Sequence, residues 1–243
     1  MSEQGGASKQ LSQYTNEYLR LVLKKEKDSA LSFLRELVDS KQISLLQAFN
    51  ILGASQQEVG SLWERGTITV ADEHFTTEVT LEAIDLVSKR STAKEFRREE
   101  KRKGTALLAN LVEGEYHTVG LRMFAELLKA DGWDVELFPQ PAHVSNVFRH
   151  IEKAGGKIKL VCCTVTMEFN LRELKSILKI LRTNIHTKDS TVIVGSQLFR
   201  LKRFRDQMVD TETAKPLADF LAKNLSEGIE FVRSSREENR SGS

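Results

Sequence analysis

Apolar side chains return every three or four positions between residues 9 and 92, the spacing of an amphipathic helix. LSQYTNEYLRLVLKKE sets Leu11, Tyr14, Tyr18, Leu21 and Leu23 near one face, and ALSFLRELVDS does the same with Leu31, Leu34 and Leu37. SLLQAFNILGASQQEVGSLWERG reads as one long helix or as two split near Gly53. TVADEHFTTEVTLEAIDLVSKR opens on Thr69-Val70-Ala71-Asp72, which resembles a capping box, and carries Phe75, Val79, Leu81, Ile84 and Val87. Four such segments with short connections predict a helical bundle over 9–92.

Beyond residue 104 the period changes. Short apolar runs (GTALLANLVEG, WDVELF, KIKLVCCTVTM, STVIVGS) alternate with amphipathic stretches (LRMFAELLKADG, VSNVFRHIEKAGG, LRELKSILKILR). FRLKRFRDQM reads as a shorter helical piece and AKPLADFLAKNLSEGIEFV as the final helix. This alternation predicts an α/β domain over 104–232, a flavodoxin-like, five-stranded parallel sheet covered by helices on both faces. Residues 93–103 are a charged run in which acids interrupt the bases, so they read as a solvated linker rather than a nucleic-acid patch. Residues 233–243 read as a disordered tail.

Composition narrows the function. The 243 residues include 36 Lys+Arg and 34 Asp+Glu, a net charge of +2, without the strong basic footprint of a nucleic-acid binder. No stretch approaches the roughly 20 apolar residues that span a bilayer, and the polar start lacks a signal peptide's apolar core, so a cytoplasmic protein is expected. The two cysteines, Cys162 and Cys163, are neighbours on an expected strand and point to opposite faces. They read as small buried hydrophobes in a reducing compartment.

Ligands of parallel sheets sit beyond the carboxyl ends of the strands, at the topological switch point. The first expected strand runs into Glu113-Gly114-Glu115-Tyr116-His117-Thr118-Val119-Gly120. His117 falls in the loop there, Glu115 is placed to bond one ring nitrogen and fix the tautomer, and Gly120 leaves room for something bulky. The segment GEYHTVGLRMFAELLKADGWDVELF resembles the start of a cobalamin-binding domain, whose Asp-x-His-x-x-Gly histidine binds cobalt from below in place of the dimethylbenzimidazole base. The resemblance extends over about residues 10–225, because a four-helix cap also belongs to that family. It implies His117 as the metal ligand, Glu115 as its orienting carboxylate, and Thr164, Thr166, Gly195 and Ser196 around the displaced nucleotide tail. Glu115 stands where many members have Asp, Thr164 where they have Ser, and Ser196 where they have a second Gly.

In the cap, Trp63 is followed after nine residues by Glu73-His74. This spacing resembles the light-sensing cobalamin-dependent regulators, in which a Trp and a Glu-His pair cover an adenosyl group. The resemblance implies adenosylcobalamin as cofactor, with Trp63, Glu73 and His74 over its upper ligand. Photolysis would then empty a cavity and shift the bundle, a two-state response to a ligand. Glu64 stands where some of those regulators have a second cobalt-binding His. His143, His150 and His186 read as surface or helix residues.

Those regulators carry a DNA-binding domain before the cap, for which the roughly ten residues ahead of the first expected helix are too few. The expectation is therefore a non-enzymatic photoreceptor that reaches transcription through a partner regulatory protein or a light-dependent change of homo-oligomer, without a membrane and without reading DNA directly. The alternative is a non-catalytic corrinoid carrier of a methyltransferase system, with methylcobalamin or hydroxocobalamin bound.

Overall fold

The computed structural model describes residues 2–95, 103–138 and 143–241, with side chains over 9–90, 103–138 and 143–235. Its contacts divide the chain into two compact units, Met1–Glu99 and Glu100–Ser243.

The first unit is a four-helix bundle of α1 (Ser2–Leu23), α2 (Lys27–Asp39), α3 (Leu45–Glu64) and α4 (Val70–Glu95). The buried residues follow the helical period: Tyr18, Leu21 and Val22 from α1, Ala30, Leu34 and Leu37 from α2, Phe49, Leu52 and Val59 from α3, and Val79, Ile84 and Val87 from α4. Val22, rather than Leu23, completes the buried face of α1. Gly53 does not split α3, which is continuous. Its start carries a full capping box, in which Ser44 and Gln47 satisfy each other's backbone N–H. The start of α4 is closed in the predicted way: Thr69 N–H donates to Asp72 Oδ2 at 3.0 Å and Asp72 N–H to Thr69 Oγ1 at 3.2 Å. The hydroxyl of Thr69 and the ammonium of Lys25 hold the Asp72 carboxyl well below the usual range.

The second unit is a five-stranded, all-parallel sheet in the order β2-β1-β3-β4-β5. The strands are β1 (Thr105–Ala109), β2 (Asp134–Phe138), β3 (Ile158–Thr164), β4 (Thr191–Gly195) and β5 (Phe220–Ala222). The helices are α5 (Val119–Ala130), α6 (Val144–Ala154), α7 (Leu171–Thr183), α8 (Lys202–Asp206) and α9 (Leu225–Ser241). Alternate strand residues divide the core. Leu107, Ala109, Val161, Cys163, Val192 and Val194 pack with Val147 and Ile151 of α6 and with Leu174, Ile177, Leu178 and Leu181 of α7. Cys163 belongs to that layer, and Cys162, its buried neighbour, does not. Burial pushes the Cys163 thiol up to about 12 and holds Cys162 well above the usual thiol range, so both stay protonated and inert at neutral pH.

Four expectations change. The final helix does not start at Ala214: Phe220–Ala222 pairs with Ile193–Gly195 as β5, and the helix begins only at Leu225. Local helical spacing yields there to the backbone partners that the open edge of β4 offers. The segment from 233 continues α9 as far as Ser241 instead of forming a disordered tail, because the helix begun by the buried Ile229 and Val232 propagates one hydrogen bond per residue. In the charged run, residues 93–95 close α4, while 96–102 lie outside the described residues. The first helix starts at Ser2, ahead of the expected position. Among the described residues no helix is long and apolar enough to cross a membrane.

Candidate functional site

Strands β1 and β3 are neighbours in the sheet, and the chain leaves them for α5 and α7 respectively. The strand order reverses between them, so their carboxyl ends open the crevice where parallel sheets bind ligands. The loop after β1 turns at Gly114, whose φ of +83° suits a residue without Cβ.

That turn sends Glu115 inward. Its side chain is fully buried while that of His117, two residues on, is 57% exposed. Glu115 Oε1 accepts from His117 Nδ1 at 2.5 Å. Its other oxygen accepts from the backbone N–H of Thr166 at 2.8 Å and from Asn170 Nδ2 at 3.1 Å. Thr166 and Asn170 belong to the segment after β3, so one carboxylate ties both sides of the crevice together. Burial alone would push the Glu115 carboxyl up, but the bonds from His117, Thr166 and Asn170 outweigh it and bring it down to about 2. Glu115 is therefore an anion at neutral pH, and it holds the proton of His117 on Nδ1.

Beneath the loop lies Asn110, the residue after β1, which is fully buried. Its Nδ2 donates to the carbonyl oxygens of Glu115 at 3.0 Å and His117 at 3.3 Å, and its Oδ1 accepts from Thr164 Oγ1 at 2.6 Å. Asn110 and Asn170 escaped the sequence reading. The only available signal was weak: a carboxamide inside the apolar run GTALLANLVEG, and another just before the LRELKSILKILR helix.

The other expected site residues are distributed around this centre. Gly120 sits in the first turn of α5, and a Cβ built there would meet open space. Gly195 ends β4 opposite Thr164, and a Cβ there would come within 3.3 Å of the Thr164 methyl group. Ser196 Oγ caps the 3-10 turn Gln197–Arg200 by accepting from Leu198 N–H at 3.1 Å. The hydroxyls of Thr164 and Ser196 are thus both engaged within the protein.

In the bundle, Trp63 lies in the last turn of α3 and is 47% exposed. Glu73 and His74 lie in the first turn of α4 and bond each other, Oε2 to Nδ1, at 2.6 Å. Glu73 Oε1 also accepts from Thr77 Oγ1 at 3.0 Å. Of the remaining histidines, His143 caps α6, His150 bonds Glu136 at 2.5 Å, and the His186 N–H donates to Asn184. Among the described residues there is no cluster of three or more His, Cys, Asp or Glu that could by itself hold a metal ion.

Two protein-family models, each described as a B12 binding domain, match residues 14–88 and 105–214. The first falls on the bundle and the second on the parallel-sheet unit. The chain belongs to the B12-binding family and is a cobalamin-binding protein with a helical module and a Rossmann-like one. Among solved structures it is similar to the monomethylamine corrinoid protein of Methanosarcina barkeri: TM-score 0.70 and 14% identity, over 91% of this chain and 97% of that one. A cobalamin-binding protein from Desulfitobacterium hafniense DCB-2 matches with TM-score 0.43 and 18% identity, over 90% and 97% of the two chains. The methanol:cobalamin methyltransferase complex of Methanosarcina barkeri matches with TM-score 0.40 and 18% identity, over 87% and 75%. The first likeness shows the fold. No curated protein matches the chain.

Proposed function

We propose that this protein is a non-catalytic corrinoid carrier, which holds a cobalamin by His117 and presents it to a methyltransferase partner. The observation that supports it is the 2.5 Å bond from His117 Nδ1 to the buried Glu115. A carboxylate on Nδ1 fixes the ring and its tautomer, assigns the metal to Nε2, and raises the basicity of that nitrogen. The half-exposed imidazole at the sheet's carboxyl end suits a ligand as large as a corrin. When bound, the corrinoid supplies a cobalt centre able to accept and release an alkyl group. The protein's own residues bind it, orient the lower ligand, and keep Nδ1 protonated. Contacts to the nucleotide tail from Thr164, Thr166, Gly195 and Ser196, and room for the ring at Gly120, belong to the same proposal. The fold likeness to the monomethylamine corrinoid protein favours the carrier role. The test compares wild type and His117→Ala loaded with cobalamin and reduced to the Co(II) form. With histidine labelled by nitrogen-15, the doublet splitting of an axial histidine is expected in the first, and in the second the nitrogen-14 triplet of the cobalamin's own base or no splitting. The same splitting in both would overturn the assignment of His117.

A second reading rests on the bundle. The half-exposed Trp63, and Glu73-His74 on α4, suit an adenosyl group and hence a light sensor acting through a partner or a change of oligomer. Spectra of the corrinoid that co-purifies in darkness separate the two, since the carrier holds a methyl or hydroxyl upper ligand and the sensor an adenosyl. A gel-filtration volume of the adenosylcobalamin-loaded protein that green light leaves unchanged would count against sensing.

A further inference from the structure

The buried Asn110 has no place in the binding roles above, yet it touches both residues of the Glu115–His117 pair from below. Its amide has two donors and one acceptor oxygen to satisfy, and the three bonds described use both ends. The orientation is unique. Turning the amide over would set Oδ1 against two carbonyl oxygens, which cannot donate, whereas Thr164 accepts either arrangement by rotating its hydroxyl. The carbonyls of Glu115 and His117 lie just ahead of α5, outside any strand or helix ladder, and each accepts from this side chain. Asn110 thereby fastens the backbone at both ends of the Glu115-Tyr116-His117 segment to one group, and that group to the end of β3.

We propose that Asn110 is a positioning residue for the Glu115–His117 pair. It locks the loop after β1 to Thr164, so that the imidazole is held in one orientation and one tautomer before any ligand arrives. The inference rests on the reading of His117 as cobalt ligand only for its consequence in the loaded protein. The geometry it describes belongs to the protein alone. Glu115 fixes the ring through its side chain, while Asn110 fixes the spacing of the two backbones that carry the pair. Loss of either half should spread the ring over more orientations and lower the fraction that can ligate.

Three variants test this. Asn110→Asp keeps the volume and the acceptor for Thr164 but turns the donor toward the two carbonyls into an acceptor. Asn110→Ala removes both halves. Thr164→Val removes the bond to β3 together with the hydroxyl offered to the nucleotide tail, so its tautomer in the corrinoid-free protein is the cleaner readout, and it is the milder change should the others unfold. Two measurements are made on each. In the protein without corrinoid, the imidazole nitrogen resonances of His117 report the tautomer. Wild type and Thr164→Val are expected to remain mainly Nδ1–H, and Asn110→Asp to show a mixture. In the loaded protein, made with nitrogen-15 histidine, the doublet splitting of the Co(II) form reports histidine ligation. The ratio of ligated to unligated is expected to fall about tenfold in Asn110→Asp and about threefold in Thr164→Val, the range for losing one or two buried bonds. A folded Asn110→Asp with a wild-type tautomer and wild-type ligation would overturn the proposal. If wild type itself lacks the splitting while the tautomer still shifts in Asn110→Asp, the reading of His117 as cobalt ligand fails and the role of Asn110 stands.

Discussion

Glu115–His117 and Glu73–His74 are both carboxylate–imidazole pairs, closed at 2.5 and 2.6 Å. One is built by the fold and the other by adjacency in the chain. Glu115 is fully buried and takes three donors, two of them from a segment more than fifty residues away. Glu73 keeps 29% of its side chain exposed, and the imidazole it holds is 72% exposed. The lengths are alike, but the cost of breaking the two pairs is not. Removing Glu115 takes a fully buried acceptor from three donors, whereas water replaces either partner of the second pair.

This contrast can be broken at several points. The largest effect is expected for Glu115→Ala, which should lower the stability of the corrinoid-free protein by about 3 kcal/mol, as for other buried charge networks that lose one member. Urea unfolding measures it, and a loss below about 1 kcal/mol would place the two pairs in one class.

Acid provides the next test. The folded-state carboxyl of Glu115 lies at about 2, below its ordinary value of 4.5. Its stabilisation is therefore fully present above pH 4.5 and is lost as pH falls from there through 2, the unfolded chain binding the proton first. The shift corresponds to on the order of 3 kcal/mol, seen as a steep fall in stability across that window. Glu115→Gln should flatten the fall, and a wild-type acid profile in that variant would remove Glu115 as its source.

Smaller effects grade the contrast. Asn170→Ala deletes one neutral donor to the carboxylate and should cost about 1–2 kcal/mol in the same unfolding experiment. Trp63→Ala trims a half-exposed ring and should cost about 1 kcal/mol. Glu73→Ala is expected to stay within about 0.5 kcal/mol of wild type, as an exposed pair should. A loss above 2 kcal/mol at Glu73 would mean that the exposed pair carries structural weight after all.

The chain's periodicities were enough to show a bundle followed by a parallel α/β unit, because each helix and strand spells out its buried face in spacings of 3.6 or 2. Glu115 and His117 were readable because they are two residues apart, beyond a strand whose end is a general place for ligands. Asn110 and Asn170 were not readable. Each is one polar residue among many, and its role depends on which carbonyl or carboxylate the fold brings to it. The strand Phe220–Ala222 was hidden for a similar reason: its three residues are compatible with a helix, and only the unpaired edge of β4 makes them a strand.

The sequence by itself determined the order of the elements ahead of β5, the two modules and the pairing of a glutamate with a histidine beside it. Such features depend on neighbours in the chain, whose spacing is covalent. Only the tertiary structure decided that Glu115 is buried and its carboxyl brought down to about 2. It also decided that Thr164 turns its hydroxyl to Asn110, and that Thr166 and Asn170 hold the carboxylate from across the crevice. The physical reason is that burial and hydrogen bonding between distant segments follow from how β1 and β3 lie side by side, which local spacing does not encode.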